Sequence, residues 1–227
     1  MDIIYGFNSL PDEIKNLIIS LTTNKVYDLC LVNNYFNDNC KSIRIVDNYK
    51  YPKITDCYLK EVTNLKSLNL YCNGKITDEG IKGLINLTCL DLSGNKIITN
   101  EGIKKLTNLT FLDLSCNKII TNGGIGGLTN LTFLNLQNNL NITDEGIKGL
   151  TNLTFLILNE NRNITDEGIK RLTNIESLHL VNNNKITDEG IKRLTNLKSM
   201  YSYFNKITNE LIKERSISLI NYNPKSI

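Results

Sequence analysis

One histidine, six cysteines and a recurring pair of adjacent acids are the side chains best placed to suggest covalent or acid–base chemistry. His179 stands apart from any set of acids or nucleophiles of the kind that general acid–base or triad catalysis uses. Cys30, Cys40, Cys57, Cys72, Cys89 and Cys116 lack metal-type spacing and crowd into the first half of the chain, so reduced thiols are expected. Acid pairs such as Asp166-Glu167 sit where helices begin, and the repeated Gly-Ile-Lys-Gly owes nothing to a nucleotide fingerprint. No catalytic, cofactor-binding or metal-binding residue is expected, which leaves binding as the class of function.

What binds depends on the elements that present it. Leu65, Leu87, Leu109, Leu131, Leu153, Ile175 and Leu197 are spaced by 22 residues. Within one unit, Leu131, Leu134, Leu136 and Asn139 follow the pattern L-x-x-L-x-L-x-x-N. Leu134 and Leu136 alternate with Phe133, Asn135 and Gln137, the period of a strand with one buried face. The period then changes. Ile147 and Leu150 lie three apart behind Thr143-Asp144-Glu145, which supplies an N-cap and first-turn acids for a short helix. Such a unit cannot bury its apolar side alone, so units must stack in parallel rows. Asn73, Asn95, Asn117, Asn139, Asn161, Asn183 and Asn205 recur where each strand ends, and a buried carboxamide there can satisfy both a donor and an acceptor of the turning chain.

These residues resemble the leucine-rich repeat family over roughly four fifths of the chain. The resemblance implies an α/β horseshoe solenoid, with a parallel sheet on the concave side and short helices on the convex side. About eight repeats are expected over residues 43–217, the first and last degenerate, followed by a C-terminal cap at 218–227. Ile43, Val46, Ile54, Leu59 and Val62 extend the 22-residue frame backwards, while Lys206-Ile207-Thr208 is one residue short and Leu211 to Arg215 forms a last helix. Gly123, Gly124, Gly126 and Gly127 fall in one helical half, and predict an irregular turn that is the most mobile point of the convex side.

The register places outward-facing residues in columns. Phe111, Phe133 and Phe155 form an apolar ladder at strand spacing; the neighbouring column holds Asp91, Asp113, His179 and Tyr201. A contiguous exposed aromatic strip marks an interaction site. The rings could equally serve to cover one another and the leucines beside them. Lysines such as Lys82 and Lys104, interleaved with the acid pairs, make the convex side a solvated charged face. Asn-x-Thr triplets at Asn86, Asn108, Asn130, Asn152, Asn141 and Asn163 match a glycosylation acceptor, but without a secretory signal they are expected to be accidents of repetition.

Residues 1–42 carry another pattern: Leu10-Pro11-Asp12-Glu13-Ile14, Leu17, Ile18 and Leu21, then Leu29-Cys30-Leu31-Val32 and Phe36. Pro11 and the two acids suit a helix start, and Ile14, Leu17, Ile18 and Leu21 share one face. This segment resembles the F-box, the helical module that docks substrate receptors onto the SKP-type adaptor of cullin-RING ubiquitin ligases. The resemblance implies that Leu10, Pro11, Ile14, Leu17, Leu29, Val32 and Phe36 face the adaptor or hold the helices together. The helices could also simply cap the first repeat.

A protein partner on the concave face is therefore expected, with an SKP-type adaptor at the N-terminus. The expected role is substrate receptor of an SCF-type ligase; the alternative is a free-standing recognition or inhibitory solenoid. With 26 basic and 23 acidic residues and a net charge of +3, no one-signed field points to nucleic acid or an anionic membrane. Lack of a signal-type start predicts an intracellular protein, cytoplasmic or nuclear, and a monomer outside its complex.

Overall fold

The computed structural model describes residues 42–44, 55–61, 63–203 and 205–219. Among them is one sheet of nine parallel strands in chain order. The strands are β1 (Ser42–Arg44), β2 (Ser67–Asn69), β3 (Cys89–Asp91), β4 (Phe111–Asp113), β5 (Phe133–Asn135), β6 (Phe155–Ile157), β7 (Ser177–His179), β8 (Ser199–Tyr201) and β9 (Ser218–Leu219). Between successive strands lie α1 (Asp56–Glu61), α2 (Asp78–Ile81), α3 (Asn100–Ile103), α4 (Asn122–Ile125), α5 (Asp144–Ile147), α6 (Asp166–Ile169), α7 (Asp188–Arg193) and α8 (Asn209–Glu214). No helix among the described residues is long and apolar enough to cross a membrane.

Strands β2 to β8 bury their middle side chain, joined by Asn135 in β5 and Ser177 in β7, and in β2 to β7 the leucine two residues after the middle turns into the same core. In one repeat Leu131, Leu134, Leu136, Ile142, Ile147 and Leu150 are all fully buried, and the same positions from neighbouring repeats fuse into one continuous apolar cluster. The helices cover one face of the sheet; the first and third residue of each strand are left on the other.

Polar ladders tie the repeats together. Asn95 donates through Nδ2 to the carbonyls of Leu70 (3.3 Å) and Asn73 (2.9 Å), while its Oδ1 accepts from the amides of Ile97 and Ile98, both at 2.9 Å. Asn117, Asn139, Asn161 and Asn183 make bonds of the same kind and are fully buried. Just before this asparagine the backbone turns left-handed, at Cys72, Gly94, Cys116, Asn138, Glu160 and Asn182. Glycine is the residue that adopts this conformation without cost, yet only one of the six is glycine. The strain is held by a bond from each amide to the next repeat, as from Cys116 to the Gln137 carbonyl at 2.9 Å.

A second ladder runs through the helix starts. Thr99 caps α3, and both its amide (2.8 Å) and its hydroxyl (2.6 Å) donate to the Asp78 carboxylate one repeat earlier. Its Oγ1 then accepts from the Glu101 amide at 3.2 Å. Where the earlier repeat carries Asn100 or Asn122 instead of aspartate, the carboxamide donates to Thr121 or Thr143 Oγ1, and neither threonine makes the side-chain cap. The carboxylate packs against the next helical glycine, which explains the repeated Asp-Glu-Gly: a Cβ at Gly102 would stand 2.5 Å from Asp78 Oδ1.

Three expectations change. The Asn-x-Thr triplets are not accidents: Asn108 Nδ2 donates to the Ile85 carbonyl (2.9 Å) and Thr110 Oγ1 to the Thr88 carbonyl (3.1 Å), and Asn86, Asn130, Asn152 and Asn163 bridge repeats likewise. The glycine-rich α4 is as regular as its neighbours, because its amides still find helical partners, as in Gly126 to Asn122 at 3.0 Å. The 22-residue frame holds in the helical half of the first repeat, where Leu59 is buried and Asp56 accepts from Thr77 as Asp78 does from Thr99, but it fails at the strand, where Ile43 lies beside Leu68, an offset of 25. That register sets Ser42-Ile43-Arg44 against Ser67-Leu68-Asn69, with isoleucine beside leucine in the middle. At the far end Ser199 pairs with Ser218, so β9 extends the sheet into the start of the segment expected to cap it.

Candidate functional site

On the open face of the sheet the register brings aromatic and acidic side chains into ordered columns. Cys89 lies beside Phe111, Phe111 beside Phe133 and Phe133 beside Phe155. The adjoining column pairs Asp91 with Asp113, Asp113 with Asn135, Ile157 with His179 and His179 with Tyr201.

The rings do more than line up. Phe111 and Phe133 stack with centroids 4.2 Å apart and planes 8° from parallel, and Phe155 continues the stack at 5.2 Å. The band then changes column: Phe155 meets His179 at 5.0 Å and His179 meets Tyr201 at 5.3 Å, both tilted by nearly 60°. Serines at 177 and 199 leave no ring to continue the first column, so the diagonal neighbour takes its place. Five rings thus run across β4 to β8, each half-buried with one side toward solvent. Stacked and tilted contacts of this kind add about 0.5 to 1.5 kcal/mol per pair beyond burial, so the band is preformed.

Beside it, amides and hydroxyls hold the two aspartates. Asp91 accepts from Asn69 Nδ2 (2.8 Å), from the Ser93 amide (2.9 Å) and from Ser93 Oγ (2.5 Å). Asp113 accepts from Asn135 Nδ2 (2.9 Å) and the Ser115 amide (2.8 Å). Burial pushes the Cys89 thiol up, which keeps it protonated and poorly nucleophilic. Burial also holds the His179 imidazole below its ordinary value, so it is neutral at pH 7. Its Nε2 and the Ser177 Oγ are buried without a hydrogen-bond partner among the described residues.

Of the residues singled out in the sequence, Phe111, Phe133, Phe155, His179 and Tyr201 come together, and Asp91 and Asp113 flank the band's first ring. Leu10, Pro11, Ile14, Leu17, Leu29, Val32 and Phe36 lie outside the described residues. Sequence columns alone miss the diagonal step from Phe155 to His179, whose signal is the loss of bulk at Ser177. They also miss the orphaned Ser177 Oγ. On the helical side, lysines pair with glutamates three residues earlier, as in Lys104 with Glu101 at 2.6 Å, an ordinary solvated arrangement. No group of three or more potential metal ligands occurs among the described residues.

Two family models match the chain. One described as Leucine Rich repeats (2 copies) covers residues 85–125; one described as Leucine Rich repeat covers 63–85, 127–150, 149–172 and 171–194. Together they span more than half of the sequence. No curated protein matches. Among solved structures, internalin C2 from Listeria monocytogenes aligns with 27% identity and a TM-score of 0.54 over 74% of this chain and 83% of its own. A chain of the Rad7 and Elc1 complex in yeast aligns with 20% identity and a TM-score of 0.58, over 82% of this chain and 56% of its own. A chain of the Toll–Spatzle complex from Drosophila gives 18% and 0.59, over 76% and 25%. The last two similarities concern the fold alone.

Proposed function

Because the chain belongs to the leucine-rich repeat family, whose repeats build scaffolds for protein–protein interaction, we propose that its open sheet face selects a protein substrate for an SCF-type ubiquitin ligase. The observation that carries the binding half is the five-ring band across β4 to β8, a preformed, half-buried aromatic strip with one side toward solvent. The ligase half rests on the F-box-like residues Leu10, Pro11, Ile14, Leu17, Leu29, Val32 and Phe36, which would seat an SKP-type adaptor. On this reading the protein works inside the cell, and one end holds the ligase while the sheet holds the substrate. A chain of similar fold occurs in the Rad7 and Elc1 complex in yeast.

A free-standing recognition solenoid is the second reading, favoured by the fact that the band and its supports draw only on residues 67–201. Co-expression of the full chain with an SKP-type adaptor separates the two. The ligase reading expects co-purification that is lost in Leu10→Ala/Pro11→Ala and kept in Phe133→Ser. Clean absence of the adaptor from the purified wild-type chain rejects it and leaves the free-standing scaffold.

A further inference from the structure

We infer that the open sheet face takes a cationic, apolar segment of its protein partner: an arginine head group lodges between Asp91 and Asp113, and apolar side chains further along lie over Phe111, Phe133 and Phe155. This rests on the sheet being the docking face, and charge complementarity carries it. Among the first and third residues of β2 to β8, Asp91 and Asp113 are the only ionised side chains, although the whole chain carries +3. Six glutamates, Glu79, Glu101, Glu145, Glu167, Glu176 and Glu189, each pair with a lysine. Asp91 and Asp113 have no cationic partner among the described residues. They lie beside each other in register, Asp91 held by Asn69 on its far side and Asp113 by Asn135 on its own, and like charges on neighbouring strands repel. A cation between them turns that repulsion into two attractions.

The neighbouring ring selects which cation. Phe111 stacks on Phe133 through one face; toward β3 its neighbour in register is Cys89, and no ring contact falls on that side among the described residues. A guanidinium is planar, stacks on an aromatic face and forks onto carboxylates, which a lysine ammonium does less well. A second observation marks the far end of the footprint. Ser177 is only 8% exposed and its Oγ has no partner, nor has His179 Nε2 two residues on. Buried polar atoms are nearly always paired, and a partner hydroxyl or amide entering beside the His179 ring supplies the missing bonds. From β3 to β7 is four strand intervals, about 19 Å, which an extended segment of about six residues spans. Side chains two apart in such a segment share a face, so the sequence that fits is basic-x-apolar-x-apolar.

The test is selection of random peptides displayed on phage against three full-length proteins: wild type, Asp91→Asn/Asp113→Asn, and Phe133→Ser. Each is first checked for wild-type circular dichroism. The double variant installs the residue already present in the same column at Asn69 and Asn135, so the fold accommodates it. Wild type should enrich basic-x-apolar-x-apolar peptides. The best of these should bind the double variant about tenfold more weakly and with a flatter salt dependence, and replacing its basic residue by glutamine should cost affinity on wild type alone. Peptides without a basic preference, a preference that persists on the double variant, or no enrichment at all would overturn the inference. Peptides lost on Phe133→Ser but kept on the double variant preserve the docking face and sink only the cationic segment. Peptides indifferent to Phe133→Ser sink the docking face itself.

Discussion

Adding one methyl group at Gly102 should destabilise the protein by about 2 to 4 kcal/mol, although the same change elsewhere in a helix is stabilising. The ideal Cβ lies 2.5 Å from Asp78 Oδ1 and 3.0 Å from Ile98 Cγ2. Overpacking of this kind costs about 1 to 3 kcal/mol. Relief requires Asp78 to move, and its carboxylate holds the Thr99 amide and hydroxyl at 2.8 and 2.6 Å; losing one such charge-assisted bond costs about 1.5 to 3 kcal/mol. Against this, alanine gains about 1 kcal/mol over glycine in helix propensity. Gly127→Ala is the control: nothing lies within 4 Å of its Cβ and its φ is not left-handed, so it should stabilise by about 0.5 to 1 kcal/mol. Urea denaturation followed by circular dichroism, with matched m-values, measures both. In an Asp78→Ala background the carboxylate clash is gone and only the 3.0 Å approach to Ile98 Cγ2 remains, so Gly102→Ala should cost much less, giving a coupling of about 1 to 3 kcal/mol. If Gly102→Ala proves as benign as Gly127→Ala, or costs the same without Asp78, the account of the Asp-Glu-Gly repeat is wrong.

Two further perturbations separate structural from exposed polar groups. Asn139→Ala strips partners from the Leu114 carbonyl and the amides of Asn141 and Ile142 in a fully buried site, so it should cost about 3 kcal/mol or more. Asn130→Ala removes one exposed bond, to the Thr107 carbonyl, and should cost about 1 kcal/mol or less; equal urea midpoints for the pair would contradict this ranking. His179 makes stability depend on pH. Its folded pKa lies below the ordinary 6.5, so the unfolded chain takes up the proton first as pH falls. The stabilisation from the neutral ring is fully present above about 6.5 and is lost as pH drops through the folded pKa. Thermal unfolding of wild type between pH 7.5 and 5 should therefore fall more steeply than that of His179→Gln, and parallel curves would refute the assignment.

The repeat was legible because its apolar positions answer to one requirement, burial, which the 22-residue period displays at Leu131, Leu134, Leu136, Ile147 and Leu150. The strand register from β2 to β8 followed from the same period. Bonds between repeats were harder to see. Asp144 and Glu145 have an adequate local explanation as helix-start acids, and nothing in one repeat signals that Asp144 reaches Thr165 in the next. Asn108 and Thr110 likewise carried a familiar local meaning that hid their contacts with Ile85 and Thr88. The band was half legible: the phenylalanine column is a matter of period, whereas the turn to His179 depends on ring size and on the space left by Ser177. The first strand departed from the frame by three residues, pairing Ile43 with Leu68 where the period would have set Val46.

Those structural duties also decide where partner information can reside. Buried asparagine, capping threonine, the acid or amide behind it and the helical glycine each satisfy a neighbour's backbone or fill its space, so a change at any of them is felt by two repeats. The outward column from 67 to 199 has no such obligation and changes freely through Ser, Cys, Phe and Ser. Its neighbour runs from Asn69 through two aspartates to Ile157, His179 and Tyr201. Acid gathers at β3 and β4, and aromatic surface from β4 to β8, on a sheet whose backbone is the same throughout. The internal duty at positions 69, 91, 113 and 135, accepting from the amide two residues on, is met by asparagine and aspartate alike, so the segregation is one that the backbone does not require, and it is where the sequence of a partner would be matched.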